Sequence, residues 1–402
     1  MKKVLVVGPL LSISGYGYHS RQVFDYFYNK DNVEVSCVIL PWGNTSWFVN
    51  KDYENHLIGK IIDKAIDAKE IVNNEFDIGL HVQLPNEWNK SYAKKNIGIS
   101  AYVETDICSK NWIDISSKME HVIVPSNFTK NVLLNSDISK EQHSLLSKNV
   151  SVIPEYYHEN FDLNKKESSQ NLNKALNEIS TSYNYLSIGH LTSEREDCDR
   201  KSLIEMLRYF CQHYRDNSDV GLILKTSIGR STTIDKERTK DVFRNIISEV
   251  KGTSIYPKVY LLHGEMSTDE LYSLYTHEKV KCYLSLTKGE GYGLPLLESA
   301  RCGLPIIATN WSGHLDFLGN NFLPLDFDLE NIPKEKIDNN IFIENSKWAR
   351  VNKDCVFKQL NFSYEKHEHI LKVAENLKNE IKAKFNKKVI NKKYDKIFKD
   401  HL

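Results

Sequence analysis

Short apolar runs alternate with amphipathic stretches along most of this chain. Residues 2–8 (KKVLVVG), 33–40 (VEVSCVIL), 76–82 (FDIGLHV), 97–103 (IGISAYV) and 121–126 (HVIVPS) are short, apolar and rich in β-branched side chains. Each predicts a buried strand. Between the first two, YHSRQVFDYFYNK (18–30) reads as a helix. Strands alternating with helices imply parallel sheets with right-handed crossovers. The pattern breaks over 151–182, which is polar, rich in Asn, Ser and Lys, and poor in periodicity. Such a stretch predicts a linker. The alternation restarts with apolar runs at 185–189, 221–226, 258–264, 281–286 and 304–309, and helical patterns over 201–214, 235–250, 268–276 and 295–302. The expected fold class is α/β, with two doubly wound Rossmann-like domains at 1–160 and 183–361. A linker at 161–182 joins them, and a helical tail, 362–402, packs back on the first domain. Folds of this kind bind ligands at the carboxyl ends of their strands. Two facing domains are expected to place the active site in the cleft between them.

Composition narrows the function. The 402 residues are ample for two such cores, and 53 basic residues balance 53 acidic ones. A formal net charge of zero argues against wholesale nucleic-acid binding. The seven cysteines are scattered and form no C-x-x-C pair, which predicts reduced thiols in the cytoplasm. The N-terminal apolar run is broken by Gly8-Pro9, so it reads as a strand rather than a secretory signal. No run reaches the length of a membrane-spanning helix. The tail is strongly basic, with eight lysines against one aspartate over 382–399. A solvated helix face is the first reading. Peripheral contact with anionic lipid at the inner face of the membrane is the second, with Phe385, Val389, Ile390 and Phe398 as the apolar side.

The most informative string is KGEGYGLPLLES, 288–299, directly after the run KCYLSL. It sets Glu290 and Glu298 around a glycine-rich turn at the expected carboxyl edge of a sheet. Pro295 suits a first helical position. Gly291 and Gly293 let the backbone approach a ligand closely. The amides around Tyr292, Gly293 and Leu294, with the helix dipole behind them, favour an anion such as a diphosphate. Glu298 is expected in the first helical turn, where it can accept hydrogen bonds from the hydroxyls of a ribose. Glu290 can do the same for a sugar ring. For Glu298 alone, a carboxylate that merely offsets the helix dipole is the simpler reading; the whole string is far more specific.

EGYGLPLLE resembles the E-x7-E motif of retaining GT-B glycosyltransferases, in particular glycosyltransferase family 4 (group 1). The continuation SARCGLPIIATNWSGHLDFL (299–318) resembles the rest of that donor-site block. HVIVPSNFTKNVL (121–133), SVIP (151–154) and DRKSLIEML (199–207) are similar to further segments of the family. The resemblance implies a GT-B fold, with an acceptor-side first domain and a donor-binding second domain. It implies transfer from a UDP-sugar or GDP-sugar, as co-substrate, to a glycan or lipid-linked acceptor with retention at the anomeric carbon. The expected setting is bacterial surface polysaccharide synthesis. No cofactor or metal is expected, and no ligand cluster with zinc spacing is present in the sequence. By the same resemblance Glu298 holds the ribose, Glu290 faces the donor sugar, and Lys201 with Arg200 neutralises the diphosphate. One feature departs from the family. Where an arginine often follows the strand glycine, His190 follows Gly189, and Arg195 or Arg200 is expected to compensate.

Other candidates lie in the first half. The loop GPLLSISGYGYHS (8–20) is not a dinucleotide fingerprint. Its Gly15 and Gly17 precede a helix, so the loop is either a second anion-friendly turn beside donor and acceptor or simply a tight strand-to-helix turn. Glu104 is expected at a strand end, where relatives place a polar residue against the donor sugar. Asp106 reads as a general base or a helix cap. His81 also lies at a strand end, where a satisfied structural histidine is the commoner case. Three other functions compete: a GT-B nucleotide-sugar 2-epimerase, a non-catalytic nucleotide-sugar-binding subunit, and an enzyme that glycosylates DNA bases, against which the zero net charge speaks.

Overall fold

The computed structural model describes residues 1–162 and 170–399, which form two compact units. The first unit comprises Met1–Glu155, Asp338–Ser346 and the chain from Lys388 onward. The second comprises Tyr156–Ile337 and Lys347–Lys387.

The first unit is built on strands β1 (Lys2–Gly8), β2 (Val33–Ile39), β3 (Phe76–Val82), β4 (Ala93–Ile99), β5 (His121–Val124) and β6 (Val150–Val152). All pair in parallel, in the order β2-β1-β3-β4-β5-β6. β1 is an interior strand, and its residues Val4 to Gly8 are buried, as a strand covered on both faces requires. β4 starts four residues before the apolar run that marks it and ends before Ser100, because Lys94 and Lys95 are exposed and Tyr102 takes φ +51°. The helix after β1 spans Gly15–Tyr28, earlier than the apolar spacing predicts, because Ser14 caps it by accepting from the Gly17 amide. The lysine-rich helix Lys387–Phe398 lays Ile390, Tyr394 and Phe398 against that helix. Tyr394 lies 5.1 Å from Tyr26 and Phe398 lies 4.9 Å from Phe27, ring centre to ring centre. Ile390, Tyr394 and Phe398 are thus spent on the protein core, and Phe385 packs into the second unit, while Val389 and Ile397 are half-buried.

The second unit repeats the plan with β7 (Tyr183–Ile188), β8 (Val220–Lys225), β9 (Lys258–Leu262), β10 (Val280–Ser285), β11 (Ile306–Thr309) and β12 (Leu323–Leu325). Their order is β12-β11-β10-β7-β8-β9, again all parallel. Two apolar layers cover the sheet. One gathers helices Leu203–His213, Thr233–Lys251 and Lys353–Glu365; the other gathers Thr268–Thr276, Leu294–Arg301 and His367–Lys384. A short antiparallel pair, β13 (Phe327–Asn331) and β14 (Lys347–Val351), follows β12. Of the stretch read as a linker, residues 163–169 lie outside the described residues. Gln170–Asn177 is a helix that buries Leu172 and Leu176. Among the described residues, no helix is long and apolar enough to cross a membrane.

Candidate functional site

Beyond β10 the chain runs through a largely buried turn into helix Leu294–Arg301, with Pro295 in its first turn. Gly293 makes the change of direction at φ +98°, a conformation that favours glycine. The turn is held from two sides. Ser312 Oγ accepts from the Glu290 amide at 2.9 Å, and the Gly313 amide donates to the Glu290 carbonyl at 2.9 Å. A Cβ on Gly313 would stand 2.1 Å from the carbonyl oxygen of Gly291, so no other residue fits there. On the other side the Lys288 amide donates to the Arg200 carbonyl at 2.8 Å, and the buried Lys288 ammonium donates to the Asp197 carbonyl at 3.0 Å.

These contacts bring the segment 199–202 onto Glu290. Lys201 Nζ donates to both carboxylate oxygens, at 2.6 and 2.8 Å. Arg200 Nη1 donates to the Gly289 carbonyl at 2.6 Å and stands 3.8 Å from the carboxylate. Burial pushes the Glu290 carboxyl upward, but the charges of Lys201 and Arg200 outweigh it and hold the group below its ordinary value. Asp199 sets this segment. It is fully buried: one oxygen accepts from Thr192 Oγ1 at 2.8 Å, the other from the Leu203 amide at 2.7 Å. It thereby caps helix Leu203–His213, whose preceding residue Ser202 sits at φ +50° and supplies no side-chain cap. A pocket lined by Lys201, Tyr283, Glu290, Gly293, Pro295 and Leu296 opens beside the cluster.

Glu298 differs from expectation. It is the fifth residue of its helix rather than a first-turn residue, and it is 6% exposed. Its Oε2 accepts from the Tyr275 hydroxyl at 3.0 Å. Burial pushes its carboxyl up to about 7, against the opposing effects of His158 and the Tyr275 hydrogen bond. The Tyr292 ring is buried in the core, 5.3 Å from Phe317, which leaves the reading of its backbone amide untouched. Leu294 packs against the same core. Arg195 is not the compensating cation, since it is exposed and pairs with Asp197 and Glu335. Arg200 is the arginine that reaches the cluster. Sequence reasoning missed Asp199, Lys288, Ser312, Gly313 and Tyr275; all but Tyr275 stood inside the quoted segments, but nothing local marked their partners.

In the first unit, Gly17 is a steric necessity: a Cβ there would meet the Ser12 carbonyl oxygen at 2.0 Å. Its amide donates to Ser14 Oγ at 3.1 Å, the cap of the helix. Gly15 is exposed, with nothing within 4 Å of its would-be Cβ. Glu104 lies beyond β4, close enough for its charge to act on Tyr16, whose hydroxyl meets Ser100 Oγ at 2.9 Å. The cap of the following helix is Ser109, not Asp106. His81 is fully buried, bonds Asn96 at 3.0 Å and is pushed down to about 4 by burial, a structural histidine.

The arrangement is that of known structures. The chain superimposes on a glycosyltransferase from Rickettsia africae ESF-5 with a TM-score of 0.63 at 14% identity, covering 100% of this chain and 98% of that one. An E. coli structure described as trehalose-6-phosphate bound with UDP-2-fluoro glucose gives 0.64 at 11% identity, over 99% of each chain. Anabaena HepE in complex with UDP gives 0.61 at 11% identity, over 100% of each. The fold is therefore GT-B. Within it, residues 245–325 match the family model described as glycosyl transferases group 1, the segment that contains Glu290 and Glu298. No curated protein matches the chain.

Proposed function

We propose that this protein is a glycosyltransferase that moves a sugar from a nucleotide-diphosphate donor to a hydroxyl of a glycan or lipid-linked acceptor, with retention at the anomeric carbon. The observation that carries this reading is the Lys201–Glu290–Arg200 cluster at the carboxyl edge of a parallel sheet, where ligands of doubly wound folds bind. Two cations on one carboxylate leave a net positive charge for a diphosphate to meet. The acceptor hydroxyl forms the new bond to the anomeric carbon on the face the diphosphate leaves. The bond from that carbon to the diphosphate oxygen breaks, and a phosphate oxygen takes the hydroxyl proton. Lys201 and Arg200 stabilise charge on the leaving group, where preorganised cations act most strongly. As Lys201 turns toward phosphate, Glu290 is freed toward the donor sugar. In this reading the cations of the chain do the work of a metal. UDP is the first nucleotide to test, because structural relatives hold UDP or a UDP-sugar.

The test is a titration of UDP, GDP, ADP and their sugar conjugates, followed by product analysis with and without acceptor. One nucleotide is expected to bind selectively and to lose affinity in Glu298→Ala. Glu290→Gln is expected to lower turnover more than nucleotide affinity, roughly a hundredfold for a lost contact that acts on transition-state charge. Full activity in both variants refutes the reading. Sugar isomerised without acceptor points instead to an epimerase.

A further inference from the structure

The carboxyl edge of the second sheet holds a further cation, outside the Glu290 cluster. Lys225 is the last residue of β8, flanked in the ladder by Ile188 of β7 and Leu262 of β9. Its side chain is partly buried, and its ammonium makes no hydrogen bond or ion pair among the described residues. Burial lowers its pKa from the ordinary lysine value, and the charge of Glu265 pushes back. Two further buried polar atoms at this edge lack partners: Oγ1 of Thr226, the next residue, and Nε2 of His263, the residue after β9.

Strand geometry sets the direction of the side chain. Ile223 packs in the apolar layer of helix Leu294–Arg301. Side chains two apart share a face, so Lys225 leaves the sheet on that same face. Gly189 ties it to the cluster. The Gly189 amide donates to the Lys225 carbonyl at 3.2 Å, and a Cβ on Gly189 would lie 3.7 Å from Lys201 Cγ. Lys201 and Lys225 therefore flank one glycine. His190, which stands where related sequences often carry arginine, feels the charge of both.

A part-buried ammonium without a partner is costly, and a fold sheds such a group unless something pairs with it. We propose that Lys225 is an anion-binding residue of the donor site, meeting a phosphate oxygen of the nucleotide diphosphate alongside Lys201 and Arg200. It supplies the positive charge that His190 does not. The inference rests on the donor-site reading above.

The experiment uses the full chain, with Lys225→Met, which keeps the length of the stem and removes the charge, and Lys225→Arg, which keeps the charge. Calorimetry compares UDP, GDP and ADP, the matching monophosphates and the nucleosides. In Lys225→Met, affinity for the preferred diphosphate is expected to fall about tenfold or more, as loss of a charge-assisted hydrogen bond implies. Nucleoside affinity is expected to stay unchanged, the ligand-free variant to melt no lower than wild type, and Lys225→Arg to retain most of the diphosphate affinity. Diphosphate affinity within about twofold of wild type in Lys225→Met overturns the proposal and leaves the donor-site reading standing. A Lys225→Met that melts well below wild type marks a packing role and also overturns it. Wild type that binds none of the three diphosphates overturns both.

Discussion

Glu298 shows how burial changes what a carboxylate does. Its pKa in the folded protein, about 7, lies above the ordinary 4.5, so the folded state holds a proton that the unfolded chain releases. That stabilisation is complete below the ordinary value and is lost as pH rises through about 7. Wild type is therefore expected to lose stability, read as a falling melting temperature, relative to Glu298→Gln between roughly pH 5 and pH 8, by at most about 3–4 kcal/mol for a shift of this size. Calorimetric scans of both proteins across that range check it, and parallel curves contradict it. Gly313 works by absence. The Gly291 carbonyl occupies the space of its Cβ, so Gly313→Ala must push the Glu290 turn aside. The expected result is a loss of nucleotide binding with a destabilisation of about 1–3 kcal/mol, the cost of a core overpacked by one methyl. A variant that binds as wild type does would show that the turn relaxes freely.

At the scale of elements, the site depends on a helix that lacks an ordinary cap. Ser202 makes none, and Asp199 reaches the Leu203 and Ile204 amides instead while its other oxygen holds Thr192. One side chain therefore starts helix Leu203–His213 and shapes the turn that presents Arg200 and Lys201. Asp199→Ala is expected to cost about 1–3 kcal/mol, for a lost cap and buried donors left unpaired. It should also weaken diphosphate binding, though Asp199 touches no ligand in the proposed scheme. Asp199→Asn keeps one acceptor and should recover part of both. Urea titration and nucleotide calorimetry on the pair check this, and lost stability with unchanged affinity would separate helix start from cation placement. The strand β4 teaches the same lesson from the other side. Its polar start, Lys94-Lys95-Asn96, hid the first half of a strand that pairing to β3 and β5 supports.

For the molecule as a whole, the basic tail is the feature whose reading changed most. Helix Lys387–Phe398 is an integral element of the first unit, with Ile390 and Phe398 fully buried. Its solvent side carries Lys388, Lys392, Lys396 and Lys399, all exposed. Like charges at this spacing repel. A membrane contact made through these four lysines would be electrostatic. Binding to vesicles containing anionic lipid is therefore expected at low salt and should vanish at physiological ionic strength or above, or when the four lysines are changed to glutamine. Co-sedimentation with anionic and neutral vesicles decides it, and salt-resistant binding would contradict it.

Much of this protein was legible in the chain. Periodicity marked ten of the twelve strands in the two parallel sheets, because a strand covered on both faces must be apolar along its length. The Glu290–Glu298 string was legible because turn, glycine and helix start are contiguous. Folding alone decided the rest. Lys201 and Glu290 are 89 residues apart, and only the parallel order β10-β7 sets the loops after those strands side by side. The same pairing chose Arg200 over Arg195, buried Tyr292 and Glu298, and left Lys225 without a partner among the described residues. Local pattern encodes which face of an element is apolar. Which charged groups meet, and which carboxylate loses its water, depends on neighbours that no local stretch contains.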